Sequence, residues 1–432
     1  MPQEIGESTI GWQVRTNPDL NLRLPATFAL VYVFKERFVK RDLETIREYM
    51  LGTMRVGDNF FGLLVTSDPY QELRRLATSE SVYGEDFVVI DNNALDRLSS
   101  ETSPSSWLRR HILEQVDLTV VSPYASQQPV DPSFFFGREL QIKRILRGLE
   151  SGDFAVVGNR RIGKSSLLRK LESLLSVTTR YQPLRLDCQD VTDRDRFLRK
   201  FSMETQTTVR DLMEFAEVMT GNPSILRSRQ PILLLDEVDD LLRVDALGGD
   251  ELVFRTFRSL AAKGNAHFVF CGFQTLHQRI HHPDSPLFNF CEEIILGPLT
   301  TEETRELIEK PMRSIGVLFA QPEGMVRDII EWSSCHPHLT QYICERLLGV
   351  LQKGAREIRT DDLRLVLTSA EFRTRYEETA WGKVGTIEKL IALLMMDSTF
   401  FTAGQVYARF QAEQIRVSPQ ETERALDVLL LS

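Results

Sequence analysis

Phe154-Ala155-Val156-Val157-Gly158-Asn159-Arg160-Arg161-Ile162-Gly163-Lys164-Ser165-Ser166 is the stretch on which the reading of this chain turns. The first four residues read as a short buried strand. The next eight fit GxxxxGK[ST], and Leu167, Leu168, Leu171, Leu174 and Leu175 then fall at helical spacing. Strand, glycine loop and helix in that order give the pattern physical meaning. The glycines let successive backbone N–H groups from Gly158 to Ser166 turn toward phosphate oxygens, and the helix N-terminus adds its partial positive charge. Lys164 would reach the β- and γ-phosphates, and Ser165 would give its hydroxyl to Mg²⁺. The ligand implied is ATP or ADP with Mg²⁺.

A second motif follows at Ile232-Leu233-Leu234-Leu235-Asp236-Glu237. A continuous apolar run introduced by Pro231 suits a central strand of a parallel sheet covered on both faces. Two carboxylates at its C-terminal end are costly there without a cation. Asp236 would hold the Mg²⁺ water shell and Glu237 would polarise the attacking water. Asp239 and Asp240 read as helix N-terminal charges rather than ligands.

A chain of 432 residues has room for two to four domains. The net charge of −9 argues against a uniformly basic nucleic-acid binder. Five cysteines, at 188, 271, 291, 335 and 344, match no zinc spacing and read as buried reduced thiols of a cytoplasmic protein. No apolar run approaches the roughly 20 residues that span a bilayer, and no signal peptide is apparent, so no membrane partner is expected.

Composition marks out the domains. Residues 121–132, with prolines at 123, 129 and 132, read as a linker. Before it lies a block at 1–120. Beyond it, strands at Ala155–Gly158, Leu184–Asp187, Ile232–Asp236, Phe268–Gly272 and Glu293–Leu296 alternate with helices, which predicts an α/β core over 133–299 with a parallel sheet. From about Thr300 only helices are expected: a helical lid over 300–382 and a three-helix module over 383–432.

The box Phe136-Gly137-Arg138-Glu139 shortly before the P-loop, together with the Asp-Glu strand end, resembles the AAA+-related P-loop ATPases of the STAND type and the archaeal-ATPase group. Ser285-Pro286-Leu287-Phe288-Asn289, Ile294–Thr300, the helix Thr301–Lys310 ending at Pro311, and Cys335-His336-Pro337-His338 extend the resemblance over roughly 133–350. It implies sheet order 5-1-4-3-2, Gly137 and Arg138 near the base, and a nucleotide-controlled switch rather than a fast ATPase. Two departures stand out. Phe290 occupies a place where relatives often carry an arginine, and Cys335 one where glycine is usual. Gln274 is a weak candidate for sensing the γ-phosphate. Arg160 and Arg161 either supply charge at the phosphates or pair at the surface.

Helices at Ile387–Met396, Thr402–Phe410 and Pro419–Leu430 suit a helix-turn-helix or winged-helix module. The sequence stops at Ser432 before any hairpin, so either the wing is absent or the natural chain is longer. Gln420, Glu421, Glu423 and Arg424 complement phosphate poorly, which favours a protein contact over DNA. In the first block, Phe28–Phe34, a helix through Leu43–Met50, Phe61–Thr66, a helix at Leu73–Ala77 and Phe87–Asp91 alternate in an order resembling the Mrr-like restriction-endonuclease fold; an unrelated α/β docking domain is the other reading. Pro18-Asp19 and Lys35 sit at plausible spacing for a nuclease, but the middle carboxylate position is Val33; Glu36 is its only nearby substitute. Asp86, Asp91 and Asp96 read as strand-end and cap residues. The reading is a cytoplasmic STAND-type switch with slow ATPase activity, coupling an N-terminal effector or docking domain to a signal in prokaryotic defence or signalling, with protein partners or self-assembly. The rivals are a DNA-associated initiator or remodelling ATPase and an ATP-regulated nuclease.

Overall fold

The computed structural model describes residues 2–6, 8–17, 20, 22–34, 40–53, 60–67, 87–124, 129–130, 132–221, 226, 229–352, 354–382, 384–398 and 401–430. Pro18, Asp19, Lys35, Glu36, Asp86 and the expected helix at 73–77 lie outside the described residues. The chain divides into two compact units.

One unit comprises 1–125, 308–326 and 342–366. Its sheet holds β1 (Gln3–Gly6), β2 (Thr9–Arg15), β3 (Thr27–Val33), β4 (Gly62–Thr66) and β5 (Phe87–Ile90) in that order. The first three strands form an antiparallel meander, while β3, β4 and β5 run parallel. Alternate residues of β3, namely Ala29, Val31 and Val33, face Ile46 and Met50 of the helix Lys40–Thr53. Asp91 caps the helix Asn92–Ser100 by accepting a 2.8 Å bond from Ala94 N. Of the expected linker, Val121–Tyr124 are buried. The Tyr124 hydroxyl donates to Ile308 O at 2.7 Å, which satisfies a phenol that would be costly to bury alone.

Two further elements correct the all-helical expectation beyond Thr300. Leu318–Phe319 pairs in parallel with Glu357–Ile358. The helix beginning at Thr301 continues through Pro311 to Ser314. Proline removes one backbone donor there, and the buried side chains of Met312 and Ile315 hold the next turn in place.

The other unit comprises 126–307, 327–341 and 367–432. Its five strands are β6 (Asp153–Gly158), β7 (Tyr181–Asp187), β8 (Gln230–Asp236), β9 (His267–Gly272) and β10 (Cys291–Leu296). All pair in parallel in the order β10-β6-β9-β8-β7, which is 5-1-4-3-2 in chain order. Helices cover both faces, and the strand sequences show why. Leu233, Leu235, Phe268 and Phe270 enter a core with Phe197, Phe201, Phe215 and Phe257. Their neighbours Ile232, Leu234, Val269 and Cys271 enter the opposite one with Leu167, Leu168 and Leu171. Successive strand residues point to opposite faces, so only a continuous apolar run fills both cores.

Toward the C-terminus, helices Thr386–Leu394, Ala403–Ala412 and Pro419–Leu430 close around Ile391, Val406, Phe410 and Ala425. A capping box between Thr402 and Gln405 starts the middle helix. All five cysteines are free; Cys188, Cys271 and Cys344 are buried, whereas Cys291 and Cys335 are only half-buried. No helix of the described residues is long and apolar enough to cross a membrane.

Candidate functional site

The loop joining β6 to the helix Lys164–Ser176 is shaped by two glycines with different tasks. A Cβ on Gly158 would lie 2.7 Å from Leu296 O, so the close approach of β10 requires glycine. Gly163 has φ 107° with no atom within 4 Å of an added Cβ, so its constraint is conformational. Arg161 also takes a positive φ, 64°, at a cost of about 1 kcal/mol for a side chain in that region. The result turns the loop around the N-terminus of a 13-residue helix, where partial positive charge accumulates.

Lys164 and Asp236 face this loop and are 5% and 6% exposed. The Lys164 ammonium donates to Gly158 O at 2.9 Å and Asn159 O at 3.0 Å. Burial pushes the Asp236 carboxyl above the ordinary aspartate range; the Ser165 hydroxyl bonded to it and the Lys164 ammonium pull it partly back. Asn159 is buried and its Oδ1 accepts from Arg160 N at 2.7 Å. Ser166 faces elsewhere, its hydroxyl accepting from Val130 N at 3.1 Å. Arg160 is exposed at the mouth, whereas Arg161 pairs with Glu378 at 3.7 Å.

Glu237, half-buried, follows Asp236 at φ 50° and opens the helix Val238–Leu247. Together with Arg160, Lys164, Gln189, Phe273, Gln274 and Thr275 it lines a cleft of about 630 Å³. Asp239 lines the same cleft and does more than charge its own helix. Its carboxylate accepts from Phe273 N (2.7 Å), Thr275 N (2.8 Å) and Leu276 N (3.2 Å), capping the helix Gln274–His281 that leaves β9. Asp239 thus joins the ends of β8 and β9, a role that only the fold reveals.

A second, smaller cleft of about 40 Å³ lies among Phe134, Phe135, Phe136, Arg138, Ile162, Leu299 and Gln341. Gly137 and Arg138 both take left-handed φ, 76° and 67°. The Arg138 guanidinium is held by the carbonyls of Gly297, Pro298 and Ile162, and its backbone N–H donates to Glu303. Arg138 therefore braces the loop against the segment after β10. Cys335 adopts φ 58°, and its carbonyl accepts from Leu299 N at 3.0 Å. Phe290 packs its ring 5.8 Å from Phe270 and 6.1 Å from Phe268, so it serves the core.

His336 and His338 flank Pro337. Burial, reinforced by Arg138 and Arg161, pushes His336 down to about 4. Burial, with Arg161 and His336, pushes His338 down to about 3. Neither Nε2 has a hydrogen-bond partner among the described residues.

The parallel sheet, the loop around a helix N-terminus and the buried lysine–aspartate pair define a P-loop NTPase. A family model described as Novel STAND NTPase 1 matches residues 123–350, more than half of the 432, and the chain belongs to that family. No curated protein matches the sequence. Among solved structures it is similar to the Walker-type ATPase PABY2304 of Pyrococcus abyssi (16% identity, 69% of this chain and 89% of that one, TM-score 0.46). It is also similar to the Aeropyrum pernix ORC2 protein in its ADPNP–ADP complexes (13%, 68% and 84%, 0.47) and to Drosophila ORC bound to DNA (17%, 84% and 90%, 0.42). At such identities and scores no ligand or partner carries over.

Two predictions follow from the charges. A carboxyl raised on folding favours the folded state below its unfolded pKa of about 3.9 and loses that advantage as pH rises through the folded value. Near pH 7 the ionised Asp236 therefore carries a burial cost, and Asp236→Asn should raise the melting temperature without nucleotide or Mg²⁺; a lower value would contradict this. The histidines act oppositely. Their neutral forms support the fold above about pH 6.5, and that support fades as pH falls toward 4 and then 3, by a few kcal/mol. The double variant His336→Gln/His338→Gln should show a flatter loss of denaturant stability between pH 7 and 4.5 than the wild type; equal slopes would contradict it.

Proposed function

We propose that the chain is an ATP-binding molecular switch with slow hydrolysis, coupling nucleotide state to an N-terminal effector or docking block. The observation that carries this is the buried pair: an ammonium and a carboxylate, each at least nine-tenths buried, beside a helix N-terminus. Such burial is costly unless compensated, and a Mg²⁺–nucleotide complex offers matching charge to both. In this reading the backbone of Gly158–Ser166 surrounds the phosphates and Lys164 leaves its two loop carbonyls for the β- and γ-phosphates. Ser165 and Asp236 would hold Mg²⁺, and Glu237 would polarise the attacking water.

Two observations support a switch rather than a rapid enzyme. The cleft at Arg138, where the base would lie, is lined both by Phe134, Phe135 and Phe136 and by Pro337 and Gln341. A base seated there would touch both segments at once, so its binding would favour one arrangement of the two. Phe290, seated in the phenylalanine core, stands where the STAND resemblance leads one to expect an arginine, and without that cation hydrolysis should be slow. The exposed Gln420, Glu421, Glu423 and Arg424 favour a protein partner or self-assembly over DNA. The domain limits proposed are 1–120, the connection 121–132, the core 133–299, the lid 300–382 and the module 383–432. Prokaryotic defence or signalling in the cytoplasm is the setting that suits this design.

Lys164→Ala should abolish ATP·Mg²⁺ binding in calorimetry with the melting curve kept, and Glu237→Gln should retain binding while turnover falls. Equal affinity of Lys164→Ala and wild type, or wild-type turnover well above about 10 s⁻¹, would sink the reading. The N-terminal block should leave supercoiled DNA intact with Mg²⁺ or Mn²⁺, with or without ATP. Val33, where a nuclease needs a carboxylate, is fully buried against the helix Lys40–Thr53. Cleavage that disappears in Lys35→Ala would establish the nuclease instead.

A further inference from the structure

The helix Gln274–His281 carries His277 and His281, four residues apart and so on one face. Their ring centroids lie 4.8 Å apart. Facing them, the edge strand β10 supplies Glu293. Its Oε1 lies 2.6 Å from His277 Nδ1 and its Oε2 lies 3.1 Å from His281 Nε2. The three ligand atoms all fall within 4.8 Å of one another. We propose that His277, His281 and Glu293 bind a divalent transition-metal ion of the Zn²⁺, Co²⁺ and Ni²⁺ class, apart from the nucleotide cleft.

The spacing suits such an ion. With metal–ligand bonds near 2.1 Å, ligands in a tetrahedral shell sit about 3.4 Å apart. Both histidine–glutamate pairs already lie inside that separation. The widest gap closes by a modest swing of His281, whose side chain is 59% exposed. His277 and Glu293, 20% and 17% exposed, fix the other two corners.

The donor set decides the metal. Two imidazoles and one carboxylate favour a borderline-soft ion, whereas Mg²⁺ and Ca²⁺ demand oxygen. One negative carboxylate offsets part of the dication's charge, and each neutral ring frees its ligating nitrogen by holding its proton on the other one. Three protein ligands leave a position for water on the exposed side.

The ion would tie the C-terminal half of this helix to β10, and so close both ends of the 282–290 connection. The Asp239 cap holds the other end of the same helix, beside the large cleft. The two sites are thus at opposite ends of one element, and binding at either is testable without the other.

Untagged full-length protein, free of nucleotide, is titrated with Co²⁺ and followed by visible absorption. One equivalent of a low-coordinate Co²⁺ band, displaced by Zn²⁺, is expected. His281→Ala and Glu293→Gln should each weaken Co²⁺ binding at least tenfold, and Cys291→Ser should leave it unchanged. Zn²⁺ should also raise the melting temperature of the wild type and not that of His281→Ala, whose exposed position keeps the metal-free fold intact. Absence of the band, equal Co²⁺ affinity in wild type and both variants, or loss of the band in Cys291→Ser would overturn the site.

Discussion

Burying an ammonium and a carboxylate at the C-terminal end of a parallel sheet is the constraint around which the larger unit is organised. Lys164 and Asp236 occupy the ends of an apolar framework that covers both faces of the strands. Neither charge would persist there without polar partners. The loop carbonyls of Gly158 and Asn159 satisfy the lysine, and the Ser165 hydroxyl bonds the aspartate. The arrangement is complete enough to fold and strained enough to favour a ligand with matching charge. Stability surrendered at Asp236 is the counterpart of affinity in the proposed function.

The surroundings turn that local tension into a device. Asp239 fastens the strand bearing Asp236 to the helix after β9. Arg138 fastens the loop to the segment after β10 through three carbonyls. Arg161 fastens it to Glu378 on the helix Ala370–Trp381. Arg138 and Arg161 thus tie neighbouring segments to the loop, and Asp239 ties together the two strand ends beside it. In the proposed function, the cleft among Phe134, Phe135, Phe136 and Gln341 is where a base would touch two segments at once.

Much of this was legible before any coordinates. The β6 and β8 motifs name Lys164, Ser165, Asp236 and Glu237 because a glycine loop before a helix and paired acids after an apolar run have few other uses. The strands themselves begin two or three residues earlier than read, at Asp153, Tyr181, Gln230 and Cys291, because polar and proline residues at strand starts carry no periodic signal. β1, four mostly exposed residues, carries no periodic signal, whereas β2 alternates at Ile10, Trp12 and Val14, a legible strand pattern that went unread. Asp239 looked like an ordinary helix-start acid; its partners are the amides of 273–276, which only folding brings near. Arg138 was read toward the base because its motif accompanies nucleotide sites, and sequence could not show that its guanidinium is occupied by carbonyls. His277, His281 and Glu293 form no motif, since the third ligand comes from a different element.

Hydrogen exchange of the full-length wild type with and without ATP and Mg²⁺ tests the central claim most directly. Amides of 158–166 should become protected by bound phosphates, while exchange at 134–138 and 335–341 should change together as the base touches both segments. No change at 158–166 under saturating nucleotide would contradict the nucleotide site. Protection there with 134–138 and 335–341 unaffected would contradict the switch.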